Sequence, residues 1–156
     1  TVGLIGYGNV GKRVKSILEA FGSNVVVFDN FYKTDKSFVD LETLLQISDI
    51  VSLHVPLTSE TKNMVDIKFL KKMKKTSFLV NTSRGQIIDE ADLKYALQKK
   101  IISGAAIDVY SEEPYDGDLI DCDKIVFTPH IGAYTYGTRE KMEIQALKNL
   151  LVELNV

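Results

Sequence analysis

The chain has 156 residues, 45% of them hydrophobic and 26% charged, with a formal net charge of −2. That balance fits one globular domain of ordinary size and argues against a nucleic-acid binder, which carries a basic excess. No run reaches the roughly 18 apolar residues of a membrane helix, and the single cysteine, Cys122, excludes an internal disulfide and suits a reducing compartment such as the cytoplasm.

Short apolar runs alternate with helical spacings along the whole chain. Residues 2–5 (VGLI) predict a strand, and the sequence opens directly on it, with no leader expected. Residues 10–21 then place Val10, Val14, Ile17, Leu18 and Phe21 on one helical face, which Gly22 stops. Residues 25–28 (VVVF) predict the second strand. Asp40 is expected to cap a short helix carrying Leu41, Leu44 and Leu45, and residues 50–55 (IVSLHV) to form a strand ended by Pro56. Asp66 is the expected N-cap of a helix with Phe69, Leu70 and Met73. The lysines here (Lys68, Lys71, Lys72, Lys74 and Lys75) read as a solvated helix face whose charges suit the helix dipole. Residues 77–80 (SFLV) predict a strand, and Asp89 caps a helix with Leu93, Ala96, Leu97 and Ile101. Residues 104–109 and 125–128 predict two more strands. A last helix, from about Thr138, is expected to bury Met142, Ala146, Leu147, Leu150, Leu151 and Leu154.

Strands apolar on both faces and separated by helices predict an α/β fold: a doubly wound, mainly parallel sheet with helices on both faces, of the Rossmann type. Ligands of such sheets bind at the carboxyl ends of the strands, so functional residues should directly follow strands. The segment Gly6-Tyr7-Gly8-Asn9-Val10-Gly11 does so, between a strand and a helix. Gly6 permits the tight turn, Gly8 lets the backbone approach phosphates, and Gly11 lets helix and strand pack closely. The helix N-terminus offers free N–H groups to a pyrophosphate. Asp29 ends the next strand, 18 residues beyond Gly11, where a carboxylate accepts bonds from the adenosine ribose hydroxyls and repels a 2′-phosphate. No arginine follows it (Asn30, Phe31, Tyr32 and Lys33 come next), so NAD is expected in preference to NADP.

Three polar groups follow later strands. Arg84 lies in Asn81-Thr82-Ser83-Arg84-Gly85, Glu113 in Asp108-Val109-Tyr110-Ser111-Glu112-Glu113-Pro114, and His130 in Thr128-Pro129-His130-Ile131-Gly132-Ala133. Reduction of a 2-oxo acid needs these types. A histidine gives the carbonyl oxygen its proton near neutral pH. A carboxylate orients the imidazole and favours its charged form. An arginine grips the substrate carboxylate through two parallel hydrogen bonds. No metal site is expected.

With GYGNVGKRV, HVPLTSETKNMV, VNTSRGQIIDEADLKYAL, GAAIDVYSEEP and TPHIGAYT in this order, the chain resembles the D-isomer-specific 2-hydroxyacid dehydrogenases over nearly its whole length. The resemblance implies Arg84 as the substrate-binding arginine, Glu113 as the carboxylate partner and His130 as the acid/base. Glu113 is chosen over Glu112 because the family's glutamate directly precedes the proline, and glutamate there argues against the formate dehydrogenase branch. The resemblance also implies cofactor contacts from Asn9 and Val10 to the pyrophosphate and from Val55 and Pro56 around the adenine. Thr82, Ser83, Arg84 and His130 would lie near the cofactor, Asp108 would bond the nicotinamide carboxamide, and Gly132 and Ala133 would offer backbone contacts. Asp108 also stands out on its own, because a carboxylate ending an apolar strand needs a partner. His54 reads as structural. Lys75-Thr76 departs from the family's usual proline-glycine turn, and Gly137 from an acidic residue that often starts the last helix.

The resemblance further implies a two-domain enzyme and a homodimer formed through this domain. Residues 1–156 are then expected to be the NAD-binding domain alone, with the substrate domain absent from this chain. The expected partner is a small-molecule 2-hydroxy or 2-oxo acid, with no nucleic acid and no membrane. An NAD-sensing corepressor module is the alternative, and the retained Arg84, Glu113 and His130 favour the enzyme.

Overall fold

The computed structural model describes residues 1–32 and 35–154. Lys33, named above beside Asp29, lies outside them. The described residues form strands β1 (Val2–Ile5), β2 (Val25–Phe28), β3 (Ile50–Leu53), β4 (Phe78–Asn81), β5 (Gly104–Ile107) and β6 (Ile125–Phe127). They also form helices α1 (Asn9–Ala20), α2 (Leu41–Ile47), α3 (Ile67–Lys72), α4 (Glu90–Gln98) and α5 (Tyr136–Glu153), with a single 3₁₀ turn at Gly85–Ile87.

All six strands join one parallel sheet in the order β2-β1-β3-β4-β5-β6. The chain steps outward from β1 to β2, then crosses back over β1 to reach β3. Strand order reverses there, and an open crevice forms above the carboxyl ends of β1 and β3. The register lines those ends up in one row: Ile5 beside Phe28 and Leu53, Leu53 beside Asn81, Asn81 beside Ile107, Ile107 beside Phe127. The residues that follow each strand therefore share one rim.

Alternation along the strands sorts the core into two layers. Val2, Leu4, Val25 and Val27 pack with Val14 and Leu18 of α1 on one face. Ile5, Val26, Val51, Leu53 and Leu79 pack with Leu44, Leu45, Phe69, Leu70, Leu93 and Leu97 of α2, α3 and α4 on the other. The three aspartates read as N-caps are caps: Asp40, Asp66 and Asp89 accept from the backbone N–H of Thr43, Phe69 and Asp92. Each such cap stabilises its helix by about 1 kcal/mol. The lysine-dense stretch pairs with acidic neighbours, Lys72 with Glu42 and Lys74 with Asp49, both at 2.8 Å.

Several expectations are corrected. β3 ends at Leu53, β5 at Ile107 and β6 at Phe127, short of the apolar runs that suggested them, while β4 begins at Phe78 and runs on to Asn81. The residues cut off are those that turn into the rim. Ile101 lies beyond α4. On α1, Val14 and Leu18 pack inward, but Val10, Ile17 and Phe21 are exposed. The last helix begins at Tyr136, capped by Thr135, and buries none of its residues. Its apolar stripe has the expected spacing, but periodicity reports a face and not what lies against it. One sheet face is also left open at Ile50, Phe78 and Val126. Among the described residues, no helix is long and apolar enough to cross a membrane.

Candidate active site

Two clusters occupy the rim. The first is built on the glycine loop. Gly6 has φ +104°, a left-handed conformation that favours glycine, and a Cβ there would meet the His54 carbonyl at 2.6 Å. A Cβ at Gly11 would overlap the Gly6 carbonyl oxygen, which fixes how closely α1 leaves the loop. Gly8 is different, since a Cβ there meets nothing within 4 Å. Gly8 caps α1 without a side chain, and no acidic residue stands in the first turn, so the helix presents free N–H groups to an anion. Around this point Gly8, Asn9, Val10, Val55, Pro56, Thr82, Ser83 and Arg84 line an open hollow of about 480 Å³, with His54 and Leu57. These residues, part of the cofactor set read from the sequence, lie together, and open space beside Gly8 with unpaired helix N–H groups fits a dinucleotide pyrophosphate.

Asp29 follows β2 beside this loop. Its carboxylate accepts from the backbone N–H of Tyr7 at 2.7 Å, Phe31 at 2.8 Å and Tyr32 at 3.1 Å. A carboxylate has about four acceptor positions, so roughly one remains for a ribose hydroxyl. Lys12 was not singled out in the sequence. Its ammonium lies 4.7 Å from the Tyr32 ring centroid and 5.5 Å from that of Tyr7, next to Asp29's partners.

The second cluster follows β5 and β6. His130 Nδ1 lies 2.9 Å from both carboxylate oxygens of Glu113. That hydrogen bond holds the Glu113 carboxyl below its usual range. His130 has φ +53°, uncommon for a residue with a side chain. Asp108 explains how it is held. The Asp108 carboxylate accepts from Thr128 Oγ1 at 2.5 Å, from the Ile131 N–H at 3.0 Å and from the Gly132 N–H at 3.1 Å. Burial pushes the Asp108 carboxyl up, and these hydrogen bonds outweigh it and hold the group below its ordinary value. Asp108 was expected to meet the nicotinamide carboxamide; within the protein its partners clamp the loop on both sides of His130. Ala133, partly buried, follows on the same loop.

Arg84 joins the first cluster rather than the second. Its Nη1 donates to the Ser83 carbonyl at 2.6 Å. Its loop is stapled by Asn81, fully buried, which donates to the Arg84 carbonyl at 2.9 Å and accepts from the Ser83 N–H at 3.0 Å. Gly85 then lies flush against the Tyr110 backbone on the next strand end. Tyr110 in turn donates to the Thr128 carbonyl at 2.7 Å, two residues before His130. Asn81, Tyr110 and Thr128 thus tie the three segments together. The sequence signal for Asn81 was available, as a polar residue ending an apolar strand; the partners of Tyr110 and Thr128 exist only across strands. His54 is half-buried, bonded to Ser52 Oγ at 3.0 Å, and burial lowers its pKa. It packs beneath the glycine loop, in keeping with a structural role.

The sequence profile of the family described as "D-isomer specific 2-hydroxyacid dehydrogenase, NAD binding domain" matches residues 1–132. The chain belongs to that family. It is 44% identical over 150 residues to glycerate dehydrogenase of Methylorubrum extorquens, covering 94% of this chain and 46% of the relative. The structure of D-lactate dehydrogenase from Aquifex aeolicus, complexed with NAD and lactic acid, superposes with a TM-score of 0.87 at 30% identity over 99% of this chain and 53% of that one. An acyclic imino acid reductase in complex with NADPH and D-Arg superposes with a TM-score of 0.91 at 34% identity, covering 99% and 50%. The chain therefore spans about half the length of the proteins it matches. The 2-hydroxyacid dehydrogenase fold is thus a six-stranded parallel Rossmann-type domain here, and it is an NAD-binding domain. These relatives are enzymes and lend nothing to the corepressor alternative.

Proposed function

We propose that the chain is the cofactor domain of an NAD-dependent oxidoreductase that moves a hydride between NAD(H) and a D-2-hydroxy acid/2-oxo acid pair. The observation that carries the proposal is the His130–Glu113 pair at 2.9 Å on the same rim as the glycine loop and Arg84. NAD, when bound, supplies or accepts the hydride at the substrate's C2. His130 Nε2 then gives the proton to the carbonyl oxygen in reduction and takes it from the hydroxyl in oxidation, while Glu113 holds Nδ1 and offsets the charge of the imidazolium. Arg84 would turn its guanidinium from the Ser83 carbonyl to grip the substrate carboxylate through paired hydrogen bonds. Gly6, Gly8, Asn9, Val10 and Gly11 would hold the pyrophosphate, Val55 and Pro56 the adenine, and Thr82, Ser83, Asp108, Gly132 and Ala133 the nicotinamide side. The direct test is NADH consumption by the full-length protein with a panel of 2-oxo acids; no turnover of any of them would overturn the proposal.

Asp29 is proposed to favour NAD over NADP, because a fixed carboxylate repels a 2′-phosphate. Asp29→Ala is expected to weaken NAD about tenfold or more, the scale of a hydrogen bond to a charged group, and NADP by less. Calorimetric titration with both cofactors reads this, and equal losses would leave Asp29 only its backbone partners Tyr7, Phe31 and Tyr32.

The active enzyme is proposed to have a second, substrate-binding domain outside this sequence. The half-length match to relatives and the unpartnered apolar stripe of α5 support this. A homodimer through this domain is proposed on the open sheet face at Ile50, Phe78 and Val126, and sedimentation equilibrium tests it. A cytoplasmic location is proposed on the lone, partly buried thiol of Cys122, tested by cell fractionation.

A further inference from the structure

We propose that Glu90 is a positioning residue for the reaction: it braces the loop that carries Glu113 on both sides and so fixes that carboxylate against His130. The inference rests on the dehydrogenase function proposed above and adds a residue to its machinery.

Glu113 has little of its own to hold it. It lies in an irregular segment between β5 and β6, and its side chain is 41% exposed. Among the described residues its carboxylate meets, besides His130, the Tyr110 N–H at a long 3.4 Å. An exposed side chain has several staggered rotamers open to it, so its contact with His130 depends on where the backbone sets it.

Glu90 sets that backbone. It stands in the first turn of α4, and its two carboxylate oxygens are used separately. Oε1 accepts from Ser111 Oγ at 2.6 Å, and Oε2 accepts from the Tyr115 hydroxyl at 2.7 Å. These partners lie two residues before and two residues after Glu113. The loop is also closed on itself, since the Tyr110 and Tyr115 rings stack with centroids 4.6 Å apart at 22°. One carboxylate thus spans the turn that contains Glu113. Burial and the Glu90 hydrogen bond push the Tyr115 hydroxyl up, so it remains a donor over the whole neutral range.

The brace is anchored at its other end. Asp89 caps α4 at the Asp92 N–H, and the Asp92 carboxylate accepts from the Ile67 N–H at 2.8 Å, which ties the first turn of α4 to α3. A negative charge at Glu90 also suits the helix dipole there.

The test is Glu90→Ala in the full-length enzyme. kcat for 2-oxo acid reduction should fall about tenfold, with the dissociation constant for NADH within about twofold of the parent. The Glu113 carboxyl, followed by NMR titration, should rise toward the ordinary carboxylate range, because the His130 hydrogen bond that lowers it is weakened. The other groups that act on Glu113, the Tyr110 N–H and the Asp108 carboxylate, keep their places. Loss of Glu90's own charge cannot produce that rise, since removing a nearby negative charge favours ionisation. Glu90→Gln can still meet both hydroxyls and should keep kcat within about threefold of the parent. Ser111→Ala with Tyr115→Phe removes the same two bonds without touching α4, and should reproduce the loss and the rise even where Glu90→Ala folds poorly. In a Glu113→Ala background, Glu90→Ala should cost no more than about a further twofold, since no carboxylate is left to place. Losses that add in full, or a Glu113 carboxyl that does not rise, overturn the positioning role alone. No turnover of any 2-oxo acid by the parent overturns the dehydrogenase function and this role with it.

Discussion

Replacing His130 by Asn in the full-length enzyme is expected to lower kcat/KM for 2-oxo acid reduction by about 10²–10⁴-fold, the range that a positioned general acid contributes. Asn is the substitution to use because His130 sits at φ +53°, and Asn tolerates the left-handed region better than most residues. The Asp108 clamp on Thr128, Ile131 and Gly132 is then kept, so the loop should hold its shape. The dissociation constant for NADH should change little, because Gly6, Gly8, Asn9 and Val10 lie on the other side of the rim. A loss in NADH affinity equal to the loss in rate would assign His130 to the cofactor and not to the proton. Glu113→Gln should cost less, since a neutral amide still reaches Nδ1 while the charge is lost. The sign follows from Glu113. Its carboxyl is depressed by the His130 hydrogen bond, so the ionised pair contributes above the ordinary carboxylate range and is lost as pH falls through the depressed value. In the Gln variant that acid-side dependence disappears. A pH–rate profile with its acid limb unchanged would remove Glu113 from the proton's path.

The elements of this fold were readable because each has a local cause. Asp40, Asp66 and Asp89 announce their helices by a side chain that reaches a backbone N–H three residues on. The strands announce themselves by apolar runs, and their order follows from the alternation of strand and helix. Where pairing stops was not readable. His54, Asp108 and Thr128 belong to apolar runs by composition, but leave the ladder because they face the rim. The site residues were readable as types at strand ends. Their grouping, Glu113 with His130 and Arg84 beside the cofactor loop, was implied by the family resemblance and not by local spacing, because it is set by the order β4-β5-β6 and by turns between them. Tyr110 and Thr128 act through partners on neighbouring segments, so a single sequence carries no signal for their contacts, whereas Asn81 bonds within its own loop and stands out as a polar residue ending an apolar strand. In α5 the spacing marks an apolar stripe but not its cover, and none of its residues is buried.

Gly85→Ala is expected to be among the most damaging single-methyl changes in the domain, and Gly8→Ala among the least damaging to its fold. A Cβ at Gly85 would overlap the backbone carbonyl group of Tyr110, and neither backbone can rotate away as a side chain does. Overpacking of this kind costs about 1–3 kcal/mol, and more where backbone meets backbone. For a chain of this length each kcal/mol lowers Tm by about 2–4 °C, so a drop of about 10 °C is expected in a thermal melt. The displacement also separates Arg84 from the segment that carries Glu113, so kcat/KM should fall even below the melting range. At Gly8 the φ is −76° and nothing lies within 4 Å of an added Cβ. Alanine there is sterically free in the protein alone, and Tm should stay within about 2 °C of the parent. The same methyl would stand in the space where the pyrophosphate must come close to the backbone, so NAD affinity should fall about tenfold or more. The pair of variants therefore separates a glycine required by the protein's own packing from one required by its ligand. A Gly8→Ala variant that melts normally and binds NAD as tightly as the parent would put the pyrophosphate elsewhere on the rim.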